Sequence, residues 1–380
     1  MSRRDEKRAE ATPSHTLSDV IQRSHLLVTC GPGGVGKTTT AAALGVAAAR
    51  TGRRTVVMTV DPARRLADAL GLEDGAAADT PHRVDGVTRR STDGELFALM
   101  LDAELTFDRL VRDQAGGRAQ ADAILKNPVY KAISGSLSGA QEYMAIERLH
   151  QLHTSGDWDL IIVDTPPSRH AIDLLEAPDR LVGFLSHPVY RALTVGQRTF
   201  AKITDAASSM FLWAVKRLAG PQIVEDTVEF FRSLANIEGG LRQRAKEVSK
   251  LLRSDGTAFV VVSSPRAEAV GEAEHLLDAI GSRKFPLGGV VVNLIHPLPE
   301  ELTPEDEALL ADLDDGPLAD HVAWHHELTR LARAERAELV PLEKLAKGGA
   351  IVELPLLDED IHDVPGLIDL SARLVQNGAR

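Results

Sequence analysis

Cysteine is nearly absent from these 380 residues, with Cys30 standing alone. One cysteine excludes an intrachain disulfide and an intrachain Cys-x-x-Cys zinc or redox site, and it fits a reducing compartment. Basic excess is also missing. Lys and Arg total 43 against 55 Asp and Glu, a formal charge of −12. That balance argues against a surface that coats DNA and gives no support to a polybasic membrane patch. No apolar run approaches the roughly 18–20 residues needed to cross a bilayer. Residues 1–16 are charged and polar without an apolar core, so they read as a disordered tail and not as a signal peptide. No internal repeat is present. The expectation is a soluble, cytoplasmic protein with no nucleic-acid partner.

Against these absences stands Gly31-Pro32-Gly33-Gly34-Val35-Gly36-Lys37-Thr38, directly after the apolar run Leu26-Leu27-Val28. It fits G-x-x-x-x-G-K-S/T between a buried strand and a helix. Such a loop turns successive backbone N–H groups inward as a nest for phosphate oxygens at a helix N-terminus. Gly33, Gly34, Val35, Gly36, Lys37, Thr38 and Thr39 are the candidate phosphate binders. Lys37 would reach the β- and γ-phosphates, and the Thr38 hydroxyl would ligate Mg²⁺. The alanine-rich segment 39–49 can pack closely under a sheet, and 55–60 supplies a second parallel strand. Together they form a βαβ unit of about 30 residues, a context that a ligand-free glycine turn would not require.

Five further short apolar segments read as strands buried between helix layers: 96–101, 160–163, 258–263, 290–292 and 351–354. Helical patterns such as 267–280 and 368–375 alternate with them. The fold class expected is α/β, a doubly wound, mostly parallel sheet. Residues 103–155 and 181–253 break the alternation and read as helical insertions forming a subdomain beside the sheet, within one domain over 17–380. In the second insertion Phe200, Met210, Phe211, Trp213, Val215, Val224, Phe230, Phe231 and Leu234 gather among charges. They read first as the core of that subdomain, with an exposed client surface as the sharper alternative.

Two carboxylates end strands. Asp61 follows 55–60 and precedes Pro62-Ala63-Arg64-Arg65; there it could orient or deprotonate a water aimed at the γ-phosphate. It could equally cap the helix that Pro62 starts, and the two roles are compatible. Asp164 ends Asp159-Leu160-Ile161-Ile162-Val163 and precedes Thr165-Pro166-Pro167-Ser168. As a Walker-B-like residue it would hold Mg²⁺ or its water shell. His321, His325, His326 and Glu327, like His150 and His153, read as solvated helix faces, and Cys30 as a small buried residue.

With the loop, Asp61-Pro62-Ala63 and Asp164-Thr165-Pro166-Pro167 in this order, the chain resembles the anion-transporting ATPases. This group joins the arsenical pump ATPase and the ATPase that targets tail-anchored membrane proteins. Pro265-Arg266-Ala267-Glu268-Ala269, Val290-Val291-Val292-Asn293, 354–361 and 364–367 extend the likeness over most of the chain, and 139–144 resembles an actinobacterial branch with paired genes. The resemblance implies a Mg²⁺-dependent ATPase acting as a dimer with two ATP molecules face to face. By carry-over Asp61 positions the attacking water, Asn293 hydrogen-bonds the adenine, and Leu354, Pro355 and Leu356 lie against the base. The partners it implies are a second copy or a paralogous ATPase, with a membrane-protein client or membrane partner also in its range.

This chain departs from the family pattern in three ways. The metalloid-binding cysteines and the zinc-binding cysteine pair are both missing. Pro32 stands where the family carries a lysine that reaches across the dimer to the partner's phosphates. Proline has neither charge nor N–H. Nucleotide binding should survive, while full catalysis would need a lysine-bearing paralogue or a substitute such as Arg64 or Arg169. The alternatives are a weakly hydrolysing regulatory or scaffold subunit, which Pro32 favours, and a tail-anchored-protein targeting chaperone, which needs an exposed apolar groove within 181–253. Partition-type DNA binding ranks last because of the negative charge.

Overall fold

The computed structural model describes residues 16–61, 65–72, 78–88, 93–128, 130, 140–187, 221–310, 316–346 and 349–376. Its centre is an eight-stranded sheet made of β1 (Leu26–Cys30), β2 (Thr55–Thr59), β3 (His82–Arg83), β4 (Leu96–Met100), β5 (Leu160–Asp164), β6 (Thr257–Ser263), β7 (Leu287–Ile295) and β8 (Ala350–Pro355). The spatial order is β3-β4-β2-β5-β1-β6-β7-β8, parallel except for the short antiparallel edge β3. All seven strands expected from the sequence are present. Strand β3 has only two residues, too few to show a period. The expected 290–292 is the middle of a nine-residue strand whose flanking glycines, Gly288 and Gly289, hide it from an apolar-run reading.

Thirteen helices surround the sheet among the described residues: α1 (Leu17–Arg23), α2 (Lys37–Arg50), α3 (Arg65–Ala69), α4 (Ala103–Gln114), α5 (Arg118–Lys126), α6 (Ala140–Ser155), α7 (Ser168–Ser186), α8 (Pro221–Leu252), α9 (Ala267–Ser282), α10 (Pro304–Leu310), α11 (Pro317–Glu338), α12 (Val340–Leu345) and α13 (Val364–Gln376). Strand residues alternate between two faces. Leu27, Val57, Leu160, Ile162, Val260 and Val291 pack toward α1, α2 and α13. Leu26, Val28, Met58, Ile161, Val163, Phe259 and Val290 pack toward α6, α7, α9, α12 and the end of α8. Both faces are therefore dry, as a parallel sheet requires. Gly45 lets α2 close onto the first face, since a Cβ there would lie 2.6 Å from Val57.

The strand order sets the functional edge. From β1 the chain moves outward to β2 and β4, returns at β5, then crosses to β6, β7 and β8 on the other side. The direction reverses around β1, and ligands bind open α/β sheets outside the carboxyl ends of strands at such a reversal.

Of the two helical stretches, α4, α5 and part of α8 enclose a separate small core of Val111, Ala121, Ile124, Tyr130 and Phe230. Helix α6 behaves differently: Ala145, Ile146, Leu149 and Leu152 pack directly on the sheet. The start of the second stretch, residue 181, falls within α7. Phe230 is core in this arrangement; Phe200, Met210, Phe211, Trp213 and Val215 lie outside the described residues. The side chains of Val224, Phe231 and Leu234 do as well.

Candidate functional site

The loop after β1 carries its glycines where its backbone needs them. Gly31 passes so close to β6 that a Cβ would sit 2.0 Å from the Val262 carbonyl oxygen. Gly36, the N-cap of α2, is left-handed at φ 85°, and a Cβ there would meet the Asn293 amide nitrogen at 2.4 Å. Gly33 and Gly34 are exposed, whereas Pro32 and Val35 are buried. Since α2 starts at Lys37 with no side-chain cap, its first N–H groups are free to meet an anion. Lys37 Nζ folds back and donates to the Pro32 carbonyl at 2.7 Å. Burial lowers the Lys37 pKa, and the neighbouring carboxylates of Asp164 and Asp61 act against that shift. A poorly hydrated ammonium under an exposed glycine loop could receive a phosphate oxygen.

Strand parity explains the rest of the cluster. Asp164 and Thr59 share the face of Ile162 and Val57, the face covered by α2, and they are register partners across β5 and β2. Both side chains therefore project to the N-terminus of α2. Thr38 Oγ1 donates to Asp164 Oδ2 at 2.7 Å, and Thr59 Oγ1 donates to the same oxygen at 3.1 Å. Asp164 is 1% exposed, and its Oδ1 is a buried oxygen without a hydrogen-bond partner. Burial pushes its pKa up to about 6, although both hydroxyls and Lys37 favour the charged form. An orphaned carboxylate oxygen beside a threonine hydroxyl fits Mg²⁺, which takes few protein ligands and completes its shell with water and phosphate. Thr165 locks the strand end by donating to the Thr29 carbonyl at 2.8 Å.

Asp61 begins the segment after β2. Its N–H donates to Thr59 Oγ1 at 3.2 Å, and its carboxylate lies 3.9 Å from Arg65 on α3. Pro62, Ala63 and Arg64 lie outside the described residues, as does the side chain of Arg169. Gln141 donates to the Val60 carbonyl, which ties α6 to the peptide before Asp61.

On the other flank, Asn293 Nδ2 donates to the Val35 carbonyl at 3.0 Å, joining β7 to the loop. Leu294 is left-handed at φ 63°, and the pairing of β7 with β8 slips between Val292 and Ile295. Pro355 pairs with Ile295, and the Leu356 N–H donates to the Ile295 carbonyl at 2.8 Å. Leu294 and Leu356 are exposed. Among the described residues, the loop, Asp61, Asp164, Asn293, Pro355 and Leu356 thus all lie at the carboxyl edge of the sheet.

Thr59 and Gln141 have no site role in the sequence reading. Parity with Val57 and a position two before Asp61 are the available signal for Thr59. Cys30 is buried and its thiol is pushed up to about 12, so it is no nucleophile. His321 and His325 donate ring N–H groups to the carbonyls of Pro317 and Glu300, and His150 pairs with Glu247. Among the described residues no helix is long and apolar enough to cross a membrane.

The family model described as anion-transporting ATPase matches residues 24–309. ATPase GET3C of Arabidopsis thaliana is 26% identical over 375 residues, covering 94% of this chain and 83% of the relative. ATPase GET3B of the same plant is 26% identical, covering 94% of this chain and 81% of that relative. ATPase GET3 of Podospora anserina is 24% identical, covering 95% of this chain and 94% of the relative. The matched span holds the loop, Asp61, Asp164 and Asn293, and it exceeds half of the chain. The chain belongs to the anion-transporting ATPase family and is an ATPase.

Proposed function

We propose that this chain is a cytoplasmic, Mg²⁺-ATP-dependent switch that works as a dimer and pairs with a lysine-bearing paralogue. The observation that carries the reading is the Thr38–Asp164 contact, 2.7 Å long, with Oδ1 of the same carboxylate buried and unsatisfied. Thr38 and Asp164 would hold Mg²⁺, whose charge would offset that of the phosphates. Gly33 to Thr39 would cradle the phosphates, Lys37 would neutralise their charge, and Asp61 would orient the attacking water. Asn293 would present its amide to the adenine, with Pro355 and Leu356 under the ring. Binding needs none of Pro32's missing charge, because the backbone nest and Lys37 supply the attraction. Hydrolysis does need it, since charge builds on the transferring phosphoryl group.

Pro32 also favours a second reading, a weakly hydrolysing scaffold subunit whose bound nucleotide stabilises a complex. The tail-anchored-protein client surface would fall within 181–253, of which 188–220 lies outside the described residues. Sedimentation velocity with Mg²⁺ and a non-hydrolysable ATP analogue tests the dimer. A two-chain species is expected only when nucleotide is present, and it should form more fully when the paralogue is added. A single-chain species under all these conditions would contradict the proposal.

A further inference from the structure

We infer that Thr59 is the positioning residue that couples Asp164 to Asp61. One hydroxyl serves both groups: it donates its single proton to Asp164 Oδ2 at 3.1 Å and accepts the Asp61 backbone N–H at 3.2 Å. A buried strand hydroxyl needs only one partner to be satisfied, and a nearby carbonyl would do. Here it bridges a carboxylate and the first residue of the following segment. The surroundings leave little slack. The Val60 N–H donates to the Asp164 carbonyl at 3.1 Å, the Leu101 N–H donates to the Thr59 carbonyl at 3.1 Å, and Gln141 holds the Val60 carbonyl. Thr59 is 1% exposed, so no water can replace its hydroxyl without a cavity opening. Its β-branched side chain is stiff about χ1, which fixes the direction of both hydrogen bonds.

The coupling follows from this arrangement. Thr38 and Thr59 share Oδ2 of Asp164, so a change at the Thr38 side is felt at Thr59 through that one oxygen. Thr59 transmits it to the backbone of Asp61, two residues along the same strand end. The inference rests on the roles proposed above for Asp61 and Asp164. It predicts a split in the kinetics: phosphate and metal binding belong to the loop and Asp164, whereas the placement of Asp61 belongs to Thr59.

The test compares the full-length wild type with Thr59→Ser, Thr59→Val and Thr59→Ala. Calorimetric titration with Mg²⁺-ADP gives affinity, and phosphate release from ATP, followed over hours, gives kcat and KM. Thr59→Ser keeps the hydroxyl and should stay within about threefold of wild type throughout. Thr59→Val and Thr59→Ala should lose about 10–100-fold in kcat, with KM and Mg²⁺-ADP affinity within about threefold. If the valine variant does not fold, the alanine variant decides. Wild-type kcat in either hydroxyl-free variant, an equal loss in Thr59→Ser, or a loss confined to KM would overturn the inference while leaving the site reading intact. A wild-type chain that binds no Mg²⁺-ADP would overturn the site reading itself.

Discussion

Asp61→Asn is expected to lower kcat for ATP by about 10²–10⁴-fold while nucleotide affinity stays within about threefold of wild type. The amide matches the carboxylate in shape and leaves the backbone bond from Asp61 N–H to Thr59 undisturbed. What it removes is the negative charge and the basic lone pair that would aim a water. Asp61 sits outside the phosphate nest, so the loop, Lys37 and the Thr38–Asp164 pair keep their contacts. Steady-state kinetics beside direct binding separates the roles. A raised KM with unchanged kcat would make Asp61 a binding residue, and wild-type kinetics would remove it from the mechanism.

Pro32→Lys is expected to raise the turnover of the chain alone by about tenfold or more. Trans-acting cations of this kind are worth about 10³–10⁵ in related phosphoryl transfers. Loss of the proline ring costs about 0.4–1 kcal/mol of folding stability through the unfolded chain, which leaves the turnover of the folded chain to the added charge. Charge therefore decides the sign. The Pro32 carbonyl that receives Lys37 is a backbone group and survives the substitution. The same variant should gain little further from the paralogue, whereas the wild type should gain much. Unchanged turnover in Pro32→Lys, together with family-typical turnover of the wild type alone, would end the pairing proposal.

Much of this site is legible in the sequence because it is local. The loop needs eight consecutive residues, and each strand that carries a carboxylate is a run of apolar residues ending in Asp. The remainder depends on register between strands distant in sequence. Thr59 reaches Asp164 across 105 positions, and Asn293 reaches Val35 across 258. Neither bond follows from a pattern in one segment; both require the order β2-β5-β1-β6-β7. Helix α6 is hard to place for a related reason. Its apolar positions announce a helix but not the sheet face that Ala145 and Leu149 bury against. Gly36 and Asn293 show the same limit, since the glycine's necessity comes partly from a side chain on another strand.

The most direct measurement is an equilibrium titration of ATP against the wild type and Lys37→Ala, each with Mg²⁺ and with a chelator. The account predicts that Mg²⁺ tightens wild-type binding by about tenfold or more, because it relieves the buried Asp164 charge beside Thr38. Lys37→Ala should lose about a hundredfold in affinity under either condition, since a desolvated cation at the phosphates disappears. Equal affinity of the two proteins, or binding indifferent to Mg²⁺, would contradict the assignment of this loop and Asp164 as the ATP site.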